Sequence, residues 1–68
     1  MNEEKFNLTL RKFLKSFGIA GQREIEKSVA QAIEDGKLGG TETLKATARL
    51  QIDEISLDTT VEGQIDLE

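Results

Sequence analysis

Five residue types are absent from the chain: cysteine, histidine, proline, tryptophan and tyrosine. Without cysteine no disulfide can form, and without cysteine and histidine a zinc or haem site loses its usual ligands. Catalytic pairs built on histidine or cysteine are excluded as well, so Ser16, Ser28 and Ser56 have no imidazole to activate them. The composition therefore predicts a protein that is not an enzyme and that holds no cofactor.

Long apolar runs are also missing, since none approaches the ~18 residues that a membrane-spanning helix needs. Glu3 and Glu4 do not fit the basic and then apolar pattern of a secretory signal. The lack of cysteine is compatible with a reducing cytoplasm. We therefore expect a soluble cytoplasmic protein.

The chain has 68 residues, which predicts a single small domain over residues 1–68. A chain of this length hides only about 60% of the surface that it exposes when unfolded. Small domains usually gain further stability from disulfides, a metal or a second subunit. Since the composition excludes disulfides and the usual metal ligands, the size predicts tight packing or self-association.

Charge is divided unevenly along the chain, whose net charge is −4. Residues 1–50 hold all nine basic residues and seven acidic ones, whereas residues 51–68 hold six acidic residues and no basic one. A basic cluster stands near the start of the chain, at Lys5, Arg11, Lys12 and Lys15. A basic front and an acidic tail can attract each other within one chain or between two.

Two helices are predicted in the first half of the chain, over residues 2–17 and 22–35. In the first, Asn2 is a suitable N-cap and Gly18 a natural stop; in the second, Gly21 is the expected N-cap and Gly36 the end. Both have an apolar face with a 3.6-residue period. These faces comprise Phe6, Leu10, Phe13, Leu14 and Phe17 in the first helix and Ile25, Val29, Ala32 and Ile33 in the second.

Two strands are predicted in the second half, over residues 43–52 and 59–67, because apolar and polar residues alternate there. Glutamate suits a two-residue turn poorly, so the sequence Asp53-Glu54 favours a wide loop over residues 53–58, with Ile55 and Leu57 turned back toward the core. That loop implies a register with the apolar pairs Leu50–Val61, Ala46–Ile65 and Leu44–Leu67 and the charged pairs Arg49–Glu62 and Lys45–Asp66.

Together these patterns predict an α+β fold of order ααββ, in which two helices pack on an antiparallel hairpin. An isolated two-stranded hairpin is marginal in water, and each strand leaves an open edge. Two copies can join edge to edge or exchange hairpins across Gly39-Gly40, and symmetric dimers are the commonest oligomers. We therefore expect a homodimer. The predicted partner contacts are Leu8, which lies off the apolar face of its helix, and Leu44, Leu50, Val61 and Ile65.

Several segments of the chain, LRKFLK, QREIEK, GKLGGTETL and VEGQIDL, resemble a family of short bacterial proteins of unknown function. The resemblance extends over nearly the whole chain. It implies a small protein with two helices followed by strands. It implies no activity, ligand or catalytic residue.

A non-enzymatic interaction module that self-associates is the function that these features favour. The alternative is a nucleic-acid-binding protein of winged helix-turn-helix type, because two helices are followed by a hairpin. Its footprint would be the basic cluster. The acidic second helix and hairpin oppose this alternative, since binding to phosphates requires positive charge.

Two further alternatives involve other partners. Asp58, Glu62 and Asp66 stand four residues apart on one strand, about 13 Å, which is too far for them to share a metal ion. An unknown protein partner is also compatible with the sequence, but no residue pattern selects one.

Overall fold

A computed structural model describes all residues from 1 to 68. Its elements are a helix α1 (Glu3–Glu34), a strand β1 (Thr43–Ile52), a short 3₁₀ turn (Asp53–Ile55) and a strand β2 (Leu57–Asp66). The chain divides into a helical unit, Met1–Lys37, and a hairpin unit, Leu38–Glu68. The structure therefore has the predicted α+β class, with one helix in place of two.

The helical unit contains one continuous helix of 32 residues, so the prediction of two helices is wrong. Gly18 and Gly21 were expected at a helix end and a helix start, but both lie inside α1. A glycine stop requires a left-handed backbone, and among the glycines only Gly36 and Gly40 have positive φ. A glycine inside a helix costs about 1 kcal/mol relative to alanine. Because starting a new helix requires a costly nucleus, continuing through both glycines is favoured.

Both ends of α1 are where the sequence predicts them. The Oδ1 atom of Asn2 accepts a hydrogen bond of 3.1 Å from the backbone N–H of Lys5, as an N-cap does. At the other end Gly36 has a φ of 78°. The N–H groups of Gly36 and Lys37 donate to the carbonyls of Ile33 and Ala32, at 3.1 and 2.8 Å. These crossed bonds form a Schellman motif, which satisfies carbonyls that the helix leaves free.

The hairpin unit has two antiparallel strands joined by a shorter turn than expected. β1 has its predicted bounds, whereas β2 begins at Leu57 and ends at Asp66. The turn closes at Ser56, whose backbone is left-handed at φ 53° and ψ 32° and whose N–H donates to the carbonyl of Asp53. The predicted loop over 53–58 is therefore wrong. Leu57 pairs with Ile52, and the Ile55 side chain is exposed.

The shorter turn shifts the strand register by two residues from the predicted one. The pairs on the apolar side are now Leu44–Ile65, Ala46–Gly63, Ala48–Val61, Leu50–Thr59 and Ile52–Leu57. Because side chains alternate between the two faces with a period of two, a shift of two changes the partners and keeps every side chain on its face. The predicted partners of Leu44, Ala46 and Leu50 are thus wrong, although the predicted face is right.

Candidate interaction surfaces

The first candidate surface is the apolar hairpin face, formed by the five cross-strand pairs just given. It contains the predicted contact residues Leu44, Leu50, Val61 and Ile65. Its centre is shallow, because small side chains from β1 lie there beside Gly63. Val61 is 55% exposed, whereas Leu44, Leu50 and Ile65 are half-buried. The face therefore offers a partner larger apolar side chains around a shallow middle.

The opposite face of the hairpin is linked by charged side chains across the strands. The Nε and Nη2 atoms of Arg49 donate to Oδ1 and Oδ2 of Asp58 at 2.9 and 2.7 Å. The Nζ atom of Lys45 lies 3.6 Å from Oε1 of Glu62. The predicted pairs Arg49–Glu62 and Lys45–Asp66 are therefore wrong. In the observed register each basic residue reaches a carboxylate two positions from its direct partner, which long side chains can do diagonally across a sheet.

The ion pair of Arg49 with Asp58 also changes the acidity of both groups. The hydrogen bonds from Arg49 hold the pKa of Asp58 below its ordinary value, and those to Asp58 raise the pKa of Arg49. Each charged form is favoured because a charge-assisted bond is lost when either group becomes neutral. This pair links the two strands on the polar face, at the end of the hairpin nearest the turn.

Glu42 organises the loop that leads into β1. Its carboxylate accepts hydrogen bonds from the backbone N–H groups of Gly39, Gly40 and Thr41, at 2.7, 2.8 and 3.0 Å. These bonds lower the pKa of Glu42, and the bond from Gly39 contributes most to the shift. Converging backbone amides of this kind form an anion-binding nest, which the chain fills with its own side chain. The sequence reasoning missed this role, although a carboxylate shortly after a Gly-Gly pair was its signal.

The second candidate surface is the apolar helix face, which begins with Phe6, Leu10, Phe13, Leu14 and Phe17. By helix periodicity these five side chains lie within about 100° of one another. Because α1 is not interrupted, Ile25 lies within about 20° of Leu14 around the helix, and Val29 lies about 40° further round. Exposure on the first half of the face ranges from 40% at Leu10 to 60% at Phe13. A stripe of this kind is typical of a helix that packs against another element.

The predicted basic cluster lies on the side of α1 away from the phenylalanines. Leu8 stands three or four positions from Lys5, Arg11 and Lys12, and such residues are neighbours on a helix surface. It is 62% exposed. The predicted site residues therefore form two groups: Leu8 with the basic cluster belongs to the helical unit, and the other four contact residues belong to the hairpin unit.

Comparison with known protein families identifies the family of this chain. Residues 1–68 match a family described as Family of unknown function (DUF6494). The chain belongs to this family. The match confirms the resemblance to a family of unknown function and extends over the full length of 68 residues. No curated protein and no solved structure matches the chain.

This DUF6494 member has neither a metal-binding cluster nor a membrane-spanning helix. The structure brings no three acidic side chains together in a group that could hold a metal ion. None of its helices combines the length and the apolar character that crossing a lipid bilayer requires. The two apolar surfaces are therefore the features on which a functional argument can rest.

Proposed function

We propose that this protein is a small, non-enzymatic interaction module that self-associates, with a homodimer as its working form. Burial supports this most directly, because none of its hydrophobic side chains is buried. Thirteen large apolar side chains are at least 40% exposed, and single exposed side chains are ordinary whereas contiguous apolar surfaces mark interaction sites. Removing such surface from water is the dominant favourable term in protein association.

Each unit also gains from a partner for its own reason. Most of the stability of a helix in a protein comes from the packing of its apolar face. A two-stranded hairpin is marginal in water until further strands or a helix cover it. A second copy of the chain supplies such cover to both units.

The open edges of the hairpin offer one route to a dimer. The sheet has two strands, so the outer edges of β1 and β2 carry backbone groups that can template another strand. Two copies joined at these edges form a four-stranded sheet. Exchange of hairpins is a second route, with Gly40 at a φ of 107° as the hinge, since domain swapping is a low-cost path to dimers.

Binding of nucleic acid is the second candidate function, and the basic cluster around Leu8 is the observation that favours it. The net charge of −4 and the acidic hairpin oppose it, because phosphate binding requires positive charge. The continuous α1 also lacks the turn between two helices on which helix-turn-helix docking depends. A mobility-shift assay with generic DNA at low salt tests this role. A shift that Lys12→Gln abolishes favours it, and no shift favours the interaction module.

We place this role in the cytoplasm of a bacterium. The resemblance to short bacterial proteins supports a bacterial origin. The cysteine-free composition suits a reducing compartment, where disulfides are rare.

Sedimentation equilibrium over about two decades of protein concentration tests self-association by mass action. We expect the mean mass to rise toward twice 7.5 kDa. Leu14→Asp, which places a charge on the apolar helix face, should lower the mass, whereas Ala30→Asp on the far side of α1 should not. A mass of 7.5 kDa at the highest concentration would refute the proposal.

A further inference from the structure

The uninterrupted helix brings together two rows of residues that the sequence alone had assigned to separate helices. Residues spaced by four form a ridge on a helix surface. One ridge of α1 contains three large apolar residues and then a glycine, and the next contains a glycine and then three large apolar residues. They are Phe6, Leu10, Leu14 and Gly18, followed by Gly21, Ile25, Val29 and Ile33.

The second ridge is the first in reverse order, so the pattern is symmetric about the point midway between Gly18 and Gly21. A two-fold axis at that point sets each residue opposite its counterpart in a second, antiparallel copy of α1. Gly18 then faces Gly21 of the second copy, and Leu14 faces Ile25. Leu10 and Val29 are the next pair along the same ridges. Large side chains thus meet large ones, and the glycines meet at the crossing.

Charge selects this antiparallel arrangement over a parallel one. Residues 3–18 hold four basic and two acidic residues, whereas residues 19–35 hold two basic and four acidic ones. A parallel pair of helices sets like charges side by side, and an antiparallel pair sets opposite charges side by side.

The repulsion between two basic residues of α1 illustrates the charge argument. Arg11 and Lys15 lie four residues apart on α1, and like charges at this spacing destabilise a helix. Both ion pairs of the structure join the two strands of the hairpin, so neither relieves this repulsion. About the proposed axis, Glu26 of the second copy lies at a level between Arg11 and Lys15 along the helix, so its negative charge partly offsets their repulsion.

The two glycines have no local reason to be glycine. Their backbones are helical, a conformation that any residue adopts, and each costs about 1 kcal/mol relative to alanine there. A Cβ atom added at Gly18 or Gly21 meets nothing within 4 Å in the chain. The space beside both glycines is therefore open to a second backbone. Small residues at a crossing let two helices approach to about 8 Å between their axes.

We infer that α1 pairs with a second copy of itself in an antiparallel crossing centred between Gly18 and Gly21. This inference rests on the proposed self-association and names the surface that performs it. Packing of i±4 ridges on both helices gives a crossing angle near −50°. The close contacts are then those of Leu14, Gly18, Gly21 and Ile25, while the helices diverge toward their ends. The phenylalanines lie on one flank of this contact, where they stay open to another element.

Disulfide cross-linking tests the register cleanly because the chain has no cysteine. Leu14→Cys and Ile25→Cys are made as two separate proteins and oxidised alone and mixed. Each position lies about 16 Å along the axis from its own counterpart at a rise of 1.5 Å per residue, beyond the Cα–Cα reach of a disulfide. We expect covalent dimers in the mixture and none in either protein alone.

The opposite pattern, with covalent homodimers in each protein alone and no covalent heterodimer in the mixture, would show a parallel pair and overturn the inference. Sedimentation of the unmodified chain separates the remaining failures. A dimer without any cross-link would leave self-association standing and remove α1 as its surface. A monomer would remove the proposed function itself.

A second test uses the glycines. Gly21→Leu fills the crossing point, so we expect self-association to weaken at least tenfold while helix content measured by circular dichroism does not fall. The control is Ala30→Leu, which adds similar apolar area on the far side of α1 and should leave self-association unchanged. Unchanged association of Gly21→Leu would overturn the inference, because a close crossing cannot accommodate leucine there.

Discussion

The helical unit and the hairpin unit both contain exposed apolar residues, but different kinds of contact fix their conformations. In α1 the hydrogen bonds are local, from the Asn2 cap to the Schellman motif at Gly36. In the hairpin they join distant residues: Thr43 donates to Asp66, 23 positions away, and Arg49 binds Asp58 across the strands. The helix therefore needs no partner to define its shape, whereas each strand is defined by the other.

The two units also differ in how far their hydrogen bonds specify the contacts of their side chains. The ladder of the hairpin assigns every side chain a face and a cross-strand neighbour. The hydrogen bonds of α1 assign its side chains a direction and leave open what they touch. The surface whose partner is least specified within the chain is thus the apolar helix face, and we propose that a second copy covers it.

We expect leucine-to-alanine substitutions to show the largest difference in stability between the two units. Leu44→Ala removes a half-buried side chain opposite Ile65, and we expect unfolding to become easier by about 1 kcal/mol. Leu8→Ala removes an exposed side chain of α1, and we expect a change within about 0.5 kcal/mol. Urea unfolding followed by circular dichroism measures both. Equal effects would show that the hairpin pair contributes no more than a surface leucine.

One type of substitution should have opposite signs in the two units. Ser56 has a φ of 53°, a left-handed backbone that costs a non-glycine residue about 1–2 kcal/mol. Ser56→Gly should therefore stabilise the protein by about 1 kcal/mol. Ser28 lies inside α1, so Ser28→Gly should destabilise it by about 0.5 kcal/mol. Thermal unfolding compares the two variants, and a loss of stability in Ser56→Gly would contradict the backbone strain inferred at Ser56.

Acid should weaken the hairpin unit through Glu42. Its pKa is lowered by the amides of Gly39, Gly40 and Thr41, so its charged form stabilises the folded state. This contribution is fully present above the ordinary pKa of a glutamate, and it is lost as the pH falls through the lower pKa of the folded state. The difference in stability between the wild type and Glu42→Gln should thus be largest at neutral pH and shrink in acid. A difference that does not depend on pH would refute this role.

The smallest effect is expected at the Arg49–Asp58 pair, because both side chains are exposed to solvent and salt. Asp58→Asn should lower the stability of the hairpin slightly at low salt and less at high salt, where screening is stronger. Glu54→Gln is the matched control, since it removes an acidic charge in the turn without breaking an ion pair. Equal losses in both variants would show that net charge, and not the pair, is responsible.

The sequence predicted some features well because they rest on local chemistry. The alternation from Leu44 to Ile52 placed β1 and its apolar face, and Asn2 and Gly36 were identified as the ends of helical structure. The prediction failed at Gly18 and Gly21, because the sequence alone does not distinguish a glycine that ends a helix from a glycine that lies inside one. What separates them is the backbone conformation and the hydrogen bonds that follow, which Gly36 has and Gly18 lacks.

The strand register was mispredicted for a related reason. Asp53-Glu54 was recognised as a poor two-residue turn, but the left-handed Ser56 that closes a short turn has no signal in its side chain. The ion pairs could not correct the error, since opposite charges meet in more than one register. The faces stayed right because an error of two residues preserves them.

Propensity, periodicity and capping act over a few neighbouring residues, so the sequence was sufficient to identify where apolar residues alternate and where the helical structure begins and ends. The three-dimensional structure was needed to show that α1 continues through its glycines and that Leu44 pairs with Ile65. Those outcomes depend on competition between whole hydrogen-bonded arrangements, and each arrangement differs from its rival by a few kcal/mol at most.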